Sequence, residues 1–177
     1  MEKNKKSVYI GADIMKKGNQ LLREKEKEQI RELGFDVYSP KDDKEINDKS
    51  SQSEEDNNHL AEKIFKKDTK GMIQADIIVF EVDNTSVGTT AEIGQWAMVK
   101  KLASMLEDLY LSELAKKPIF FYSSDLRDTD LPEAGIRRSH SYNQYLVGCA
   151  YECNPNGIQT WQEVLEELDR LPREAKK

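Results

Sequence analysis

Cysteine and histidine are scarce in this chain, a dinucleotide loop is missing, and there is no surplus of positive charge; each shortage removes a class of chemistry. Among 177 residues there are two cysteines and two histidines. Cys149 and Cys153 have no second pair and no neighbouring histidine, which argues against a zinc cluster and leaves small packed side chains as the expectation. His59 and His140 each stand alone in a polar stretch, without the HExxH spacing of a metal-bound pair. Gly11 follows a predicted strand but is not part of a GxGxxG, so nothing points to a nicotinamide or flavin cofactor. No run approaches the roughly 18 apolar residues of a membrane span. The basic opening MEKNKKS is not followed by an apolar core of signal-peptide length. With 33 acidic against 27 basic residues the net charge is -6. That balance argues against a nucleic-acid backbone or an anionic membrane as the main partner, and a small molecule or a protein fits better. The expectation is one soluble cytoplasmic domain over 1–177 that needs no disulfide or structural metal.

What is present is a regular alternation of short apolar runs and helical patterns. The clearest unit is ADIIVFEVDNTSVGTTAEIGQWAMVKK, from Ala75 to Lys101. Ile77 to Val82 reads as a strand covered on both faces. Asp83, Asn84, Thr85, Ser86 and Gly88 break the pattern, and a helix follows. Such a strand-to-helix junction is where ligands bind in open α/β sheets. Thr89-Thr90-Ala91-Glu92 has the spacing of a capping box, which would place Glu92 in the first helical turn. Gly88 and Gly94 leave room around its carboxylate, and the positive helix end would keep it ionised.

On either side, Ser7–Ala12 and Phe35–Ser39 read as strands, with a helix over Asn19–Leu33 between them, closed by Gly34, whose apolar face is the thin set Leu22, Ile30 and Leu33. Lys41–His59 carries one large apolar residue and reads as a mobile polar loop. From Leu60 a helix places Ile64, Asp68 and Met72 on one stripe, so Asp68 interrupts an apolar face. Lys117–Ser123 is another buried strand. Ser124–Ser141 is a polar loop that carries Arg137 and Arg138, and Tyr142–Cys153 is a helix with Asn143 at its start. Gly157–Gln159 reads as a short last strand, and Thr160–Glu163 as a capping box that opens a helix to Leu171. No internal repeat is present. The pattern is that of a three-layer α/β fold with a mainly parallel sheet of about five strands.

From Val8 to the last helix the chain resembles the nucleoside 2-deoxyribosyltransferase family. The matching pieces are VYIGA, the DxxGMIQADIIV spacing from Asp68, VGTTAEIG around Glu92 and YNQYLVG around Asn143. The resemblance implies a flavodoxin-like, or Rossmann-like, arrangement without cofactor, in oligomers whose active sites borrow residues from a neighbouring subunit. It implies that Glu92 is a nucleophile that holds deoxyribose as a covalent ester before a second base takes it. Asp68 would help place that nucleophile and serve the base. Tyr9, Gly11, Gly88 and Asn143 would line the substrate, with Asn143 reaching a neighbour's site. Many members carry an aspartate six residues before the nucleophile, where this chain has Ser86, and Asp83 in the same loop is a candidate substitute for that acid. The substrates implied are 2'-deoxynucleosides and free nucleobases, in a salvage role. Two alternatives are an N-glycoside hydrolase of nucleosides or nucleotides that uses the same glutamate, with Arg137 or Arg138 as an anion site, and a non-catalytic nucleotide-binding protein.

Overall fold

The computed structural model describes residues 5–42, 58–125 and 142–173. Most of the predicted loop at 41–59, His140 and the pair Arg137 and Arg138 fall outside the described residues.

Five strands form one parallel sheet in the order β2-β1-β3-β4-β5. They are β1 (Ser7–Gly11), β2 (Asp36–Tyr38), β3 (Ile77–Glu81), β4 (Ile119–Tyr122) and β5 (Ile158–Gln159). The three central strands are almost wholly buried, as expected of β-branched and aromatic runs covered on both faces. The register sets Val8 beside Ile77 and Tyr9 beside Ile78, then Ile78 beside Ile119. Because strand order runs one way from β1 to β2 and the other way to β3, the carboxyl ends of β1 and β3 flank a switch point, where crossing connections diverge and leave a crevice.

Among the described residues six α-helices cover the sheet: α1 (Lys17–Glu32), α2 (Leu60–Gln74), α3 (Val87–Met105), α4 (Leu109–Ala115), α5 (Gln144–Cys153) and α6 (Trp161–Arg170). One apolar cluster joins Tyr9, Ile78, Phe80 and Phe121 to Met72, Ile93, Trp96, Leu146 and Ala150 of α2, α3 and α5. The other joins Val8, Ile10, Val79 and Tyr122 to Ile30 of α1 and to Val164 and Leu168 of α6. The two clusters are the two faces of the sheet, and alternate strand residues enter each. The helix beginning after β3 breaks at Leu106 and resumes at Leu109, where Asp108 caps α4 by accepting from the Leu111 amide at 2.8 Å. Lys117 donates to the Met72, Ile73 and Ala75 carbonyls, so an ammonium group closes the C-terminal end of α2. The capping box at Thr160 forms with Glu163 as the sequence suggests.

Two local readings are corrected. The α3 helix starts at Val87 with Ser86 at the cap position, so the Thr89–Glu92 box does not form and Glu92 lies in the second turn. Thr89 instead shares a hydrogen bond with the Ser86 hydroxyl at 2.7 Å. The Ser86 amide donates to the Asp83 carbonyl at 3.2 Å, so the preceding turn closes at Ser86 and the helix begins directly after it. The second correction concerns α1, where the thin apolar face of Leu22, Ile30 and Leu33 is not all that is covered: Arg23, Glu26 and Lys27 are buried beside Ile30. Arg23 pairs with Glu81 of β3 at 2.6 Å and with Glu26 at 2.8 Å, while Tyr122 of β4 donates to Glu26 at 2.9 Å. The apolar positions of α1 are few because this face meets charged partners in the sheet.

Candidate active site

At the switch point the side chain of Tyr9, at the centre of β1, reaches across to α3. Its hydroxyl donates to Oε1 of Glu92 at 3.0 Å. The ring is held by stacking on Tyr38 and by an edge contact with Phe80, with centroids 5.8 and 6.3 Å away. Gly11, at the end of β1, lies against the other carboxylate oxygen. A Cβ at this position would come within 2.7 Å of Glu92 Oε2 and 2.6 Å of Phe80 Cδ1. The space for the carboxylate therefore exists because position 11 has no side chain.

This carboxylate is partly buried and opens on a cavity of about 350 Å³. Its walls come from four places: Gly11 to Met15 after β1, Pro40 after β2, Ile64 and Asp68 on α2, and Thr85 to Thr89 with Glu92 on α3. Burial lifts the Glu92 carboxyl from 4.5 to about 7; the hydrogen bond from Tyr9 works against this, and the negative charge of Asp68 adds to it. The second-turn position explains why the helix end does not hold the group ionised, since the macrodipole acts mainly on the first turn. Tyr9 is pushed far above the usual phenol range, first by burial and then by the charges of Glu92 and Asp68, so it stays a donor.

The structure brings together Tyr9, Gly11, Asp68, Ser86, Gly88 and Glu92. Asp68 on the helix stripe is thus a wall of the cavity. Ser86 is buried, and its hydroxyl is shared with Thr89. Gly88 is exposed and a Cβ there would meet nothing within 4 Å, so its place in the wall sets no packing limit. Asp83 is not part of the wall: its carboxylate turns to the amide and hydroxyl of Thr85, at 2.8 and 3.0 Å. Asn143 is also away from this cavity, capping α5 by accepting from the Tyr145 amide at 2.9 Å. Sequence reasoning did not single out Asp13, Met15 or Pro40, and it read Ile64 only as part of the helix stripe. Only the position of Asp13 directly after a strand end could have marked it.

No lysine or arginine lines the cavity among the described residues, and no group of three His, Cys, Asp or Glu side chains among them could hold a metal ion. Nor, among them, is any helix long and apolar enough to cross a membrane. A partly buried carboxylate, a tyrosine that donates to it and a second carboxyl in the same cavity form a set that can serve substitution at an electron-poor carbon.

Known proteins resemble this chain in sequence pattern and in fold. The family model described as nucleoside 2-deoxyribosyltransferase matches residues 8–160. No curated protein sequence matches. Among solved structures 16 chains match. One is a conserved protein from Enterococcus faecalis V583, 22% identical over 93% of this chain and 98% of that one, with a TM-score of 0.64. Another is the 2-deoxyribosyltransferase of the psychrotolerant bacterium Bacillus psychrosaccharolyticus, 15% identical over 97% of this chain and 99% of that one, with a TM-score of 0.55. At these identities the structural likeness is one of fold.

Proposed function

We propose a covalent mechanism for this chain, which belongs to the nucleoside 2-deoxyribosyltransferase family, a class of glycosyl-transferring enzymes that act on nucleosides and nucleobases. The observation that carries it is the Tyr9-oriented Glu92 carboxylate at the mouth of the switch-point cavity. Glu92 attacks C1' of a 2'-deoxynucleoside through the oxygen that Tyr9 does not hold. The C1'–N bond breaks, its electron pair leaves with the base, and the base takes a proton. Asp68, whose charge reaches Glu92, is the group beside the reacting carbon that can deliver that proton in its acid form. A second base then attacks C1', the ester electron pair returns to Glu92, and the incoming base gives up its proton. Two displacements on one centre retain configuration.

The cavity favours nucleosides over their monophosphates. Asp13, Asp68 and Glu92 line it, and no lysine or arginine among the described residues lines it with them. A phosphate would meet like charge. The outer face of α3 leaves Val87, Met98 and Met105 exposed, and Tyr145 of α5 is exposed beside Asn143. Val87 also lines the cavity. A second copy of the chain laid on this face would cover the apolar residues and bring Asn143 toward a neighbour's cavity, which supports a homo-oligomer with shared sites. Free bases and deoxynucleosides as substrates suit cytoplasmic nucleotide salvage.

The test is incubation of the protein with deoxyinosine and free cytosine, with both bases followed by chromatography. Deoxycytidine should form. Hypoxanthine released without deoxycytidine would indicate hydrolysis, and neither product across several donors would leave a binding protein.

The ionisation of Glu92 gives a second expectation. The nucleophile must be charged, so kcat/KM should rise with pH through about 7. Tyr9→Phe removes the hydrogen bond that holds the carboxyl down, and the rising limb should move to higher pH, with a larger loss at pH 6 than at pH 9. A limb that stays in place in the variant would show that Tyr9 does not tune Glu92.

A further inference from the structure

Asp13 stands in the cavity wall and has no part in the displacement chemistry above. It is only 8% exposed. One oxygen accepts from the Met15 amide at 2.8 Å and the other from Nδ2 of Asn19 at 2.6 Å, with the ammonium of Lys16 at 3.8 Å. That lysine side chain is 64% exposed, so it offsets the charge weakly. A turn closed by a side chain onto an amide two residues on is made equally well by asparagine, which is neutral. The turn therefore does not call for a charge, and a buried carboxylate with a weak counter-ion is costly unless it is used. Each oxygen takes one N–H and keeps a second acceptor site. Gly11 borders Oε2 of Glu92, and Asp13 stands two residues farther along the same cavity wall.

With the sugar carbon at Glu92, the wall that runs on from Gly11 through Asp13 faces the rest of the nucleoside, its base. Resting on the function proposed above, we propose that Asp13 determines base specificity: its carboxylate accepts a hydrogen bond from an exocyclic amino group and disfavours a carbonyl at the same place. Cytosine and uracil separate the two cases, being alike in size and different at C4, where one carries an amino group and the other an oxygen. A charged acceptor meeting a carbonyl leaves two acceptors opposed and both buried, which is the kind of mismatch that discriminates strongly. Asn19 is the positioning residue, because its amide holds the carboxylate in one orientation.

The experiment compares acceptor bases for a common donor, deoxyinosine, in the wild-type protein, Asp13→Asn and Asn19→Ala. Wild-type kcat/KM should favour cytosine over uracil by about tenfold or more, the scale of one hydrogen bond to a charged group. In Asp13→Asn the ratio should fall to about one or invert, chiefly through KM for cytosine, and Asn19→Ala should lower it by less. Calorimetric binding of the two free bases should show the same order, which keeps the test open if a variant turns over poorly. A wild-type protein indifferent to the two bases, or an Asp13→Asn variant that loses both equally, would overturn the assignment. If nothing is transferred to either base but binding follows the predicted order, the proposed reaction fails and Asp13 retains its role; transfer without discrimination is the reverse case.

Discussion

Glu92→Gln is expected to abolish deoxyribosyl transfer while making the protein more stable at alkaline pH. The loss in kcat should be about 10⁴-fold or greater, the scale seen when a covalent nucleophile is removed and only binding and residual electrostatics remain. Glutamine keeps the shape and can still accept from Tyr9, so substrate affinity should change little beside kcat. The stability gain follows from linkage. The folded-state value of Glu92, about 7, lies above its ordinary 4.5 because the partly buried charge is poorly solvated and sits near Asp68. The folded state thus prefers the proton. The contribution of Glu92 is complete below about pH 4.5 and is lost as pH climbs through about 7. A neutral glutamine avoids that loss, so the variant and wild type should melt together at pH 4 and separate at pH 8, with the variant higher. Lower melting of Glu92→Gln at pH 8 would refute this account of the carboxylate's surroundings. A site that destabilises the fold by keeping a partly buried carboxylate is a familiar trade between stability and activity.

Arg23→Met should have the largest effect on stability, far from the cavity. The guanidinium is fully buried and binds Glu81 through two nitrogens, at 2.6 and 3.2 Å, and Glu26 at 2.8 Å. Its plane also lies 5.7 Å from the Tyr122 ring. Removing the cation strands two buried carboxylates, and breaking a buried pair from one side costs about 3–5 kcal/mol. Urea unfolding followed by circular dichroism should show this as a lower midpoint at unchanged slope. The partners are unequal. Burial pushes the Glu26 carboxyl up to about 7, against the pull of Arg23 and the Tyr122 hydroxyl, so it gives up its charge readily. Glu26→Gln should accordingly be the milder change near neutral pH. If Arg23→Met and Glu26→Gln cost the same small amount, the network would be better hydrated than the geometry indicates.

These two sites show how unevenly the structure could be read beforehand. The strands were legible because Ile77 to Val82 and Ile119 to Tyr122 are runs of bulky residues that only a sheet covered on both faces can accommodate. Glu92 and Asp68 stood out through their spacing around those strands, and Tyr9 only through the resemblance to a known family, whose model matches residues 8–160. The charged face of α1 was not. Arg23 reads as one more surface charge until Glu81, 58 positions away, is brought beneath it. The start of α3 was misjudged because Thr-Thr-Ala-Glu satisfies the capping pattern, whereas Asp83 and Ser86 close the preceding turn first.

The order of elements, the parallel sheet and the identity of the central carboxylate were determined by the sequence alone, because hydrophobic periodicity and local spacing act over a few residues and survive in a linear text. The tertiary structure decided which carboxyls share a cavity, why position 11 must be glycine, and that Glu92 titrates near neutrality and not as a surface acid. Those properties depend on desolvation and on groups distant in the chain. Tyr9 and Glu92 meet across 83 positions, and only folding sets the distance and the dielectric between them.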